Sequence, residues 1–388
     1  MTSLCFYFQV HQPMRLNRFS VFTENSPYFD DERNKGYLRK VARKCYLPTN
    51  KLLLDLINEY NGKFKIAFSL TGVFVEQCKK FAPEVIGSFQ ELAKTGNVEF
   101  LNETYYHSLA ILFSEKEFIE QIKLHKKMIL DLFNQKPKIF RNTEAMYSNN
   151  IARLIEKLGY KGIITEGHES VLGWRSPNYL YHPHGCKKIS ALLRNYKLSD
   201  DIGFRFSARW WEEYPLTADK YSIWLSKCEG QCINLFIDYE TFGEHQWEDT
   251  GIFNFLRYLP AETSKYSNLD FKTPSEIVKM YKPVGIVDVP HTISWADVQR
   301  DLSAWLENEM QRLAFEQMTK LEECIKKNPE LLHTWRLLQT SDHFYYMCTK
   351  WFADGDVHKY FNPYNSPYDA FINYMNILQD LKRKVGSK

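Results

Sequence analysis

The sequence has no apolar run of about 18 residues, so no segment reads as a membrane-spanning helix. It has no Gly-rich phosphate loop, no G-x-S-x-G elbow, no H-E-x-x-H and no paired C-x-x-C motif, which argues against nucleotide, serine-hydrolase and zinc-motif chemistry. It carries no excess of either charge: 50 basic against 47 acidic residues gives neither a polyanion-binding face nor a basic–aromatic patch for nucleic acid. No internal repeat or low-complexity tract is visible. The eight cysteines are scattered, and the one close pair, Cys228 and Cys232, has a spacing that matches no common metal or redox motif. Free thiols and the lack of a basic, cleavable leader point to a reducing compartment and a cytoplasmic location.

What is abundant is aromatic surface, 15% Phe, Trp and Tyr in 388 residues. Such side chains fill cores, and they also stack on sugar rings. Short apolar segments at 4–10, 64–70, 98–102, Ile139–Arg141, 163–165 and 233–237 read as strands. Helical patterns lie between them, at 52–59, at 73–94 with a break at Pro83, at Glu115–Phe133 and at 149–158. That alternation predicts an α/β protein built on an incomplete (β/α)7 barrel, residues 1–290, with a loop-rich insertion at 167–227. From 295 the pattern becomes helical, with stretches at 295–327, 329–352 and 368–384. These predict a C-terminal α-helical bundle, residues 291–388, that contributes to the active-site cleft.

Several predicted strands end in polar residues: His11-Gln12 after the first, Asn102-Glu103 and then His107 after the third, Glu144 after the fourth, Asp238 and Glu240 after the last. In a parallel barrel these ends share one face, where active sites form. Asp238 and Glu240, two apart in extended chain, point to the same side, and their repulsion raises the pKa of one, as a general acid needs. A salt bridge to Arg141, Arg205 or Arg209 is the structural alternative. Glu144 facing Asp238 across a cleft supplies the two carboxyls of glycoside hydrolysis; alone it reads as a helix N-terminal acid. The histidines, including His11, His107 and His245, are too dispersed for a ligand set, so no metal and no cofactor are expected.

His11-Gln12-Pro13, Gly96 to His107, the segment around Glu144, Asp238-Tyr239-Glu240-Thr241-Phe242-Gly243 and Ser341-Asp342-His343-Phe344-Tyr345-Tyr346 stand in the order of the five motifs of glycoside hydrolase family 57, which the chain resembles over nearly its whole length. The resemblance implies an α-amylase-like retaining hydrolase of α-1,4-glucans, with an α-glucan or maltooligosaccharide as its partner. It makes Glu144 the nucleophile and Asp238 the general acid/base. Gln12, Glu103, His107, His11, Glu240, His245 and Asp342 would bind sugar hydroxyls, and Trp210, Trp211 or Tyr346 would stack on sugar rings. A 4-α-glucanotransferase, an inactive glucan-binding relative and a metal-dependent deacetylase or α-mannosidase are the other readings. Oligomeric state is not legible.

Overall fold

The computed structural model describes residues 1–23, 26–350 and 362–386. Ten strands form its sheet: β1 Thr2–Val10, β2 Ile66–Leu70, β3 Val98–Phe100, β4 Ile139–Arg141, β5 Gly162–Glu166, β6 Tyr181–Pro183, β7 Ser190–Arg194, β8 Cys232–Asp238, β9 Leu269–Phe271 and β10 Gly285–Val287. Seven of them close a parallel ring in the order β1, β2, β3, β4, β5, β7, β8. Two seams are thin. β3 meets β4 through the bridge of Asn102 to Phe140, and β7 meets β8 through the single register pair Arg194 and Asn234. This is the expected incomplete (β/α)7 barrel. β9 extends the edge of β1, while β10 and β6 pair outside the ring.

Strand residues alternate between two environments. Cys5, Tyr7, Ala67, Leu101, Ile139, Ile164, Leu192, Cys232 and Phe236 pack together inside the ring. Their neighbours Phe6, Phe8, Phe68, Ile233 and Leu235 pack outward against the helices, as Phe140, Ile163, Ala191 and Leu193 do on the far side. With both faces covered, the strands read as near-continuous apolar runs. The intervening helices start on side-chain caps: Ser114 accepts from the amide of Glu117 at 3.2 Å, and Ser148 from that of Ile151 at 3.4 Å. The predicted break at Pro83 is present, with helices at Gly72–Phe81 and Pro83–Lys94.

Three expectations fail. The stretch 167–227, read as a loop-rich insertion, contains β7, a full member of the ring, as well as β6 and the helices Tyr196–Gly203 and Ala218–Lys227. β7 lies among turn residues in the sequence, and its single apolar stretch is short. The stretch 295–327 is not one helix. Residues 295–302 are irregular, and helices occupy Ser303–Leu306, Glu309–Thr319 and Glu322–Ile325. The predicted 329–352 helix is likewise broken, into Pro329–Leu337 and Ser341–Tyr345, and its residues 351 and 352 lie outside the described residues; Pro367–Gly386 completes the bundle. The bundle has its own core, built around Trp305, Trp335, Phe344 and Tyr374. Leu16, Phe19 and Tyr28 after β1, Leu109 after β3 and Met146 after β4 enter that same core. The bundle thus covers the carboxyl ends of the first strands. No helix among the described residues is long and apolar enough to cross a membrane.

Candidate active site

Two positions beyond its last inward apolar residue, each ring strand or its end carries a polar one. In ring order these are Gln9, Ser69, Glu103, Arg141, Glu166, Arg194 and Asp238. The charges alternate in sign from β3 to β8. The layer is cross-linked from within: Gln9 Nε2 and Ser69 Oγ donate to Glu103 Oε1, the former at 3.1 Å, and Arg194 pairs with Glu166 at 3.2 Å and Asp200 at 2.5 Å. A buried charged layer at the strand ends costs folding free energy unless it is paired, so its placement points to chemistry above it.

Glu144 stands above this layer, after β4. His107 Nε2 and Ser341 Oγ donate to its Oε1 at 3.2 and 3.1 Å, and Trp295 Nε1 donates to its Oε2 at 2.9 Å. His107 also bonds Glu103 Oε2 through Nδ1 at 3.1 Å. An imidazole donating from both nitrogens to carboxylates is an imidazolium. Burial pushes its pKa down, but its hydrogen bonds to the carboxylates of Glu103 and Glu144, and their negative charges, reverse this and raise it to about 9. Burial likewise pushes the carboxyls of Glu103 and Glu144 up. The hydrogen bond and charge of His107 outweigh it, holding Glu103 at about 2 and Glu144 below its ordinary value.

Asp238 is shifted the opposite way. Burial first, then the negative charge of Glu144, raise it to about 6 against the pull of Arg141, Arg194 and His107. The structural alternative for this aspartate loses a member, since Arg205 pairs with Asp201 at 2.7 Å. Glu240 is raised further, to about 8, by burial and by Asp238, and it accepts a hydrogen bond from Tyr46 at 2.6 Å. His11 completes the wall. Its ring stacks on His107 with centroids 4.1 Å apart, and it bonds Thr71 Oγ1 at 2.8 Å and Asp342 Oδ2 at 3.0 Å. Asp342 sits at about 2: burial raises it, and the charge and hydrogen bond of His11 outweigh that.

The sequence-predicted residues therefore separate. Glu144, Asp238, His11, His107, Glu103, Glu240 and Asp342 form one electrostatically coupled cluster. Glu103 has no exposed surface and acts on the cluster through His107. Gln12 turns to Arg15, which donates to its side chain at 3.3 Å. Tyr346 is buried in the bundle core, 6.0 Å from the ring of Tyr364, with no open face for a sugar. His245 anchors its loop through its backbone N–H, which donates a hydrogen bond to the Glu240 carbonyl at 2.9 Å, and burial drops its pKa to about 4. Trp210 stands 80% exposed on the 167–227 stretch, outside the hydrogen-bonded cluster. Trp211 packs against Trp224. The sequence reading missed Trp295, hidden in a stretch read as helix, and the donor role of Ser341, although Ser341 lies inside a quoted motif. Among the described residues no three His, Cys, Asp or Glu side chains are grouped as ligands for a metal ion.

Comparison with known proteins agrees with this architecture. The model of glycosyl hydrolase family 57 matches residues 5–290. A Methanocaldococcus jannaschii protein, provisionally named an alpha-amylase, is 51% identical over 395 residues, covering 98% of this chain and 84% of its own. An alpha-amylase of Pyrococcus horikoshii is 21% identical over 291 residues; the match covers 74% of this chain and 44% of that longer protein. Among solved structures, a branching enzyme of Thermococcus kodakaraensis superposes with a TM-score of 0.71 at 14% identity, covering 98% of this chain and 90% of its own. A 4-alpha-glucanotransferase of Thermococcus litoralis superposes with a TM-score of 0.65 at 16% identity, covering 88% and 56%. At those identities the structures speak for the fold.

Proposed function

Since the chain belongs to glycosyl hydrolase family 57, we propose that it is a retaining hydrolase of α-1,4-linked glucans, with Glu144 as nucleophile and Asp238 as general acid and base. One observation carries this reading: two carboxyls that feel each other's charge are driven to opposite protonation states, Glu144 held as an anion by three donors and Asp238 raised to about 6. That split is the division of labour retaining hydrolysis needs.

In the first step Glu144 attacks the anomeric carbon. The bond to the leaving sugar breaks, and its oxygen takes the proton of Asp238. In the second step Asp238, now ionised, takes a proton from water. The hydroxide attacks the same carbon, and Glu144 leaves as carboxylate. The imidazolium of His107, bonded to Glu144 Oε1, stabilises the nucleophile as an anion and as a leaving group. His11 and Asp342, joined to each other beside His107, present the adjacent polar edge to sugar hydroxyls. The names of the relatives, alpha-amylase, 4-alpha-glucanotransferase and branching enzyme, support α-glucan as the substrate class.

The test is product analysis from maltoheptaose, with the anomeric form of the first product followed by proton NMR. Only shorter sugars, released first in the α form, are expected. Longer sugars would make the enzyme a transferase, and a β product would exclude retention. Asp238→Asn should lower kcat by about 10²–10⁴-fold. Glu144→Gln should abolish turnover, and residual wild-type-like activity would remove Glu144 as the nucleophile.

A further inference from the structure

Arg141 is the anomaly of the charged layer. It has no exposed surface, and none of its three guanidinium nitrogens has a hydrogen-bond partner among the described residues. Arg194, the other arginine of the layer, is saturated by the Phe236 carbonyl, Glu166 and Asp200. A buried unpaired cation opposes folding. What Arg141 does have is the indole of Trp295, whose ring lies 4.6 Å from its Cζ, while Arg194 lies 5.6 Å from the same ring. Trp295 in turn holds Glu144 twice, through Nε1 to Oε2 at 2.9 Å and through its amide to the Glu144 carbonyl at 3.2 Å.

We propose that Arg141 is a positioning residue for the reaction proposed above: its guanidinium pins the Trp295 indole against Glu144 and keeps a positive charge, free of any hydrogen-bonded partner, below Glu144 and in the same layer as Asp238. A guanidinium that satisfied its hydrogen bonds with a carboxylate would spend that field on its partner. Arg141 instead keeps it for Glu144 and Asp238, both of which it draws toward the ionised form. The same field reaches Glu103 and Tyr7. The other titratable or charged groups facing the pair are His107, Arg194, Asp342 and Glu240.

Arg141→Met and Arg141→Lys separate this role from a structural one. Loss of the charge should move both limbs of the kcat/KM pH profile upward, by about 1–3 pH units for a cation at this range, with Tm unchanged or raised because a buried unpaired charge is gone. Arg141→Lys keeps the charge, so its limbs should stay near wild type while kcat falls through the lost stacking. A fallen Tm with unshifted limbs in Arg141→Met would overturn the proposal. A second readout does not depend on the substrate. The emission of Trp295, isolated by difference against Trp295→Phe, reports the ionisation of Glu144, and its acid midpoint should rise in Arg141→Met and not in Arg141→Lys. If wild type cleaves no glucan, the functional reading fails alone and this titration still decides; an unmoved midpoint overturns the role of Arg141.

Discussion

Three residues of the site have left-handed backbones without being glycine: His107 at φ 49°, Glu144 at 54° and Ala145 at 51°. Each costs of order 1–3 kcal/mol, and the surroundings hold them there. The Glu144 carbonyl and carboxylate are gripped by Trp295, and the His107 carbonyl accepts the amide of Ser341 at 2.9 Å. The pKa split has a direct consequence for rate. Catalysis needs Glu144 ionised and Asp238 protonated, so kcat/KM should be bell-shaped, falling above about pH 6 as Asp238 loses its proton. Glu240 has a consequence for stability. Its folded value of about 8 lies above the unfolded value near 4.3. Its contribution is therefore complete below about pH 4 and is lost as pH rises through about 8. Glu240→Gln should accordingly melt higher than wild type at pH 8.5 and equally at pH 4, as scanning calorimetry at the two values would show.

At the scale of elements, the site is the sum of strand ends, and most of those ends were readable. Apolar runs that stop in His11, Glu103, Glu144 and Asp238 mark buried parallel strands reaching a polar face, because period-2 alternation disappears when both faces are covered. β7 was not readable. Its five residues, Ser190–Arg194, sit between turns, and pairing with β5 rather than local propensity makes them a strand. Trp295 was hidden for a related reason: helical spacing of apolar residues continues through 295–302, but hydrogen bonds to Glu144 and to Arg300 outcompete the helix. The loop after β8 depends on one glycine. Gly243 has φ 111°, and a Cβ there would lie 2.0 Å from the Lys44 carbonyl oxygen. Gly243→Ala should cost about 1–3 kcal/mol from strain alone and more from the clash. It should also lower kcat by displacing Glu240, whereas the remote Gly87→Ala, with open space around it, should leave activity intact.

At the scale of the molecule, the barrel and the bundle share the site. Ser341, Asp342 and Trp295 come from the C-terminal part, while Glu144, His107 and His11 come from the barrel. The bundle is also locked to the barrel helix Glu115–Phe133 by Arg336, which pairs with Glu117 at 2.6 Å and Glu120 at 2.5 Å. Glu117 is fully buried, and Lys326 at 3.3 Å is its remaining cation. Arg336→Ala should destabilise the fold by about 3 kcal/mol by leaving that carboxylate under-compensated. Because the donors of Glu144 come from both the barrel and the C-terminal part, activity at moderate denaturant should fall before the global unfolding transition.

The alternation of strands and helices apart from β7, the covered parallel sheet and the acids at the strand ends were determined by the sequence itself, since they follow from local periodicity and from the cost of burying charge. The tertiary structure alone decided which acids meet and in what state. Residues as far apart as His107, Glu144, Trp295 and Ser341 converge only after the ring closes and the bundle docks. A carboxyl's proton affinity is set by the burial, charges and donors around it, and these are properties of the assembled fold.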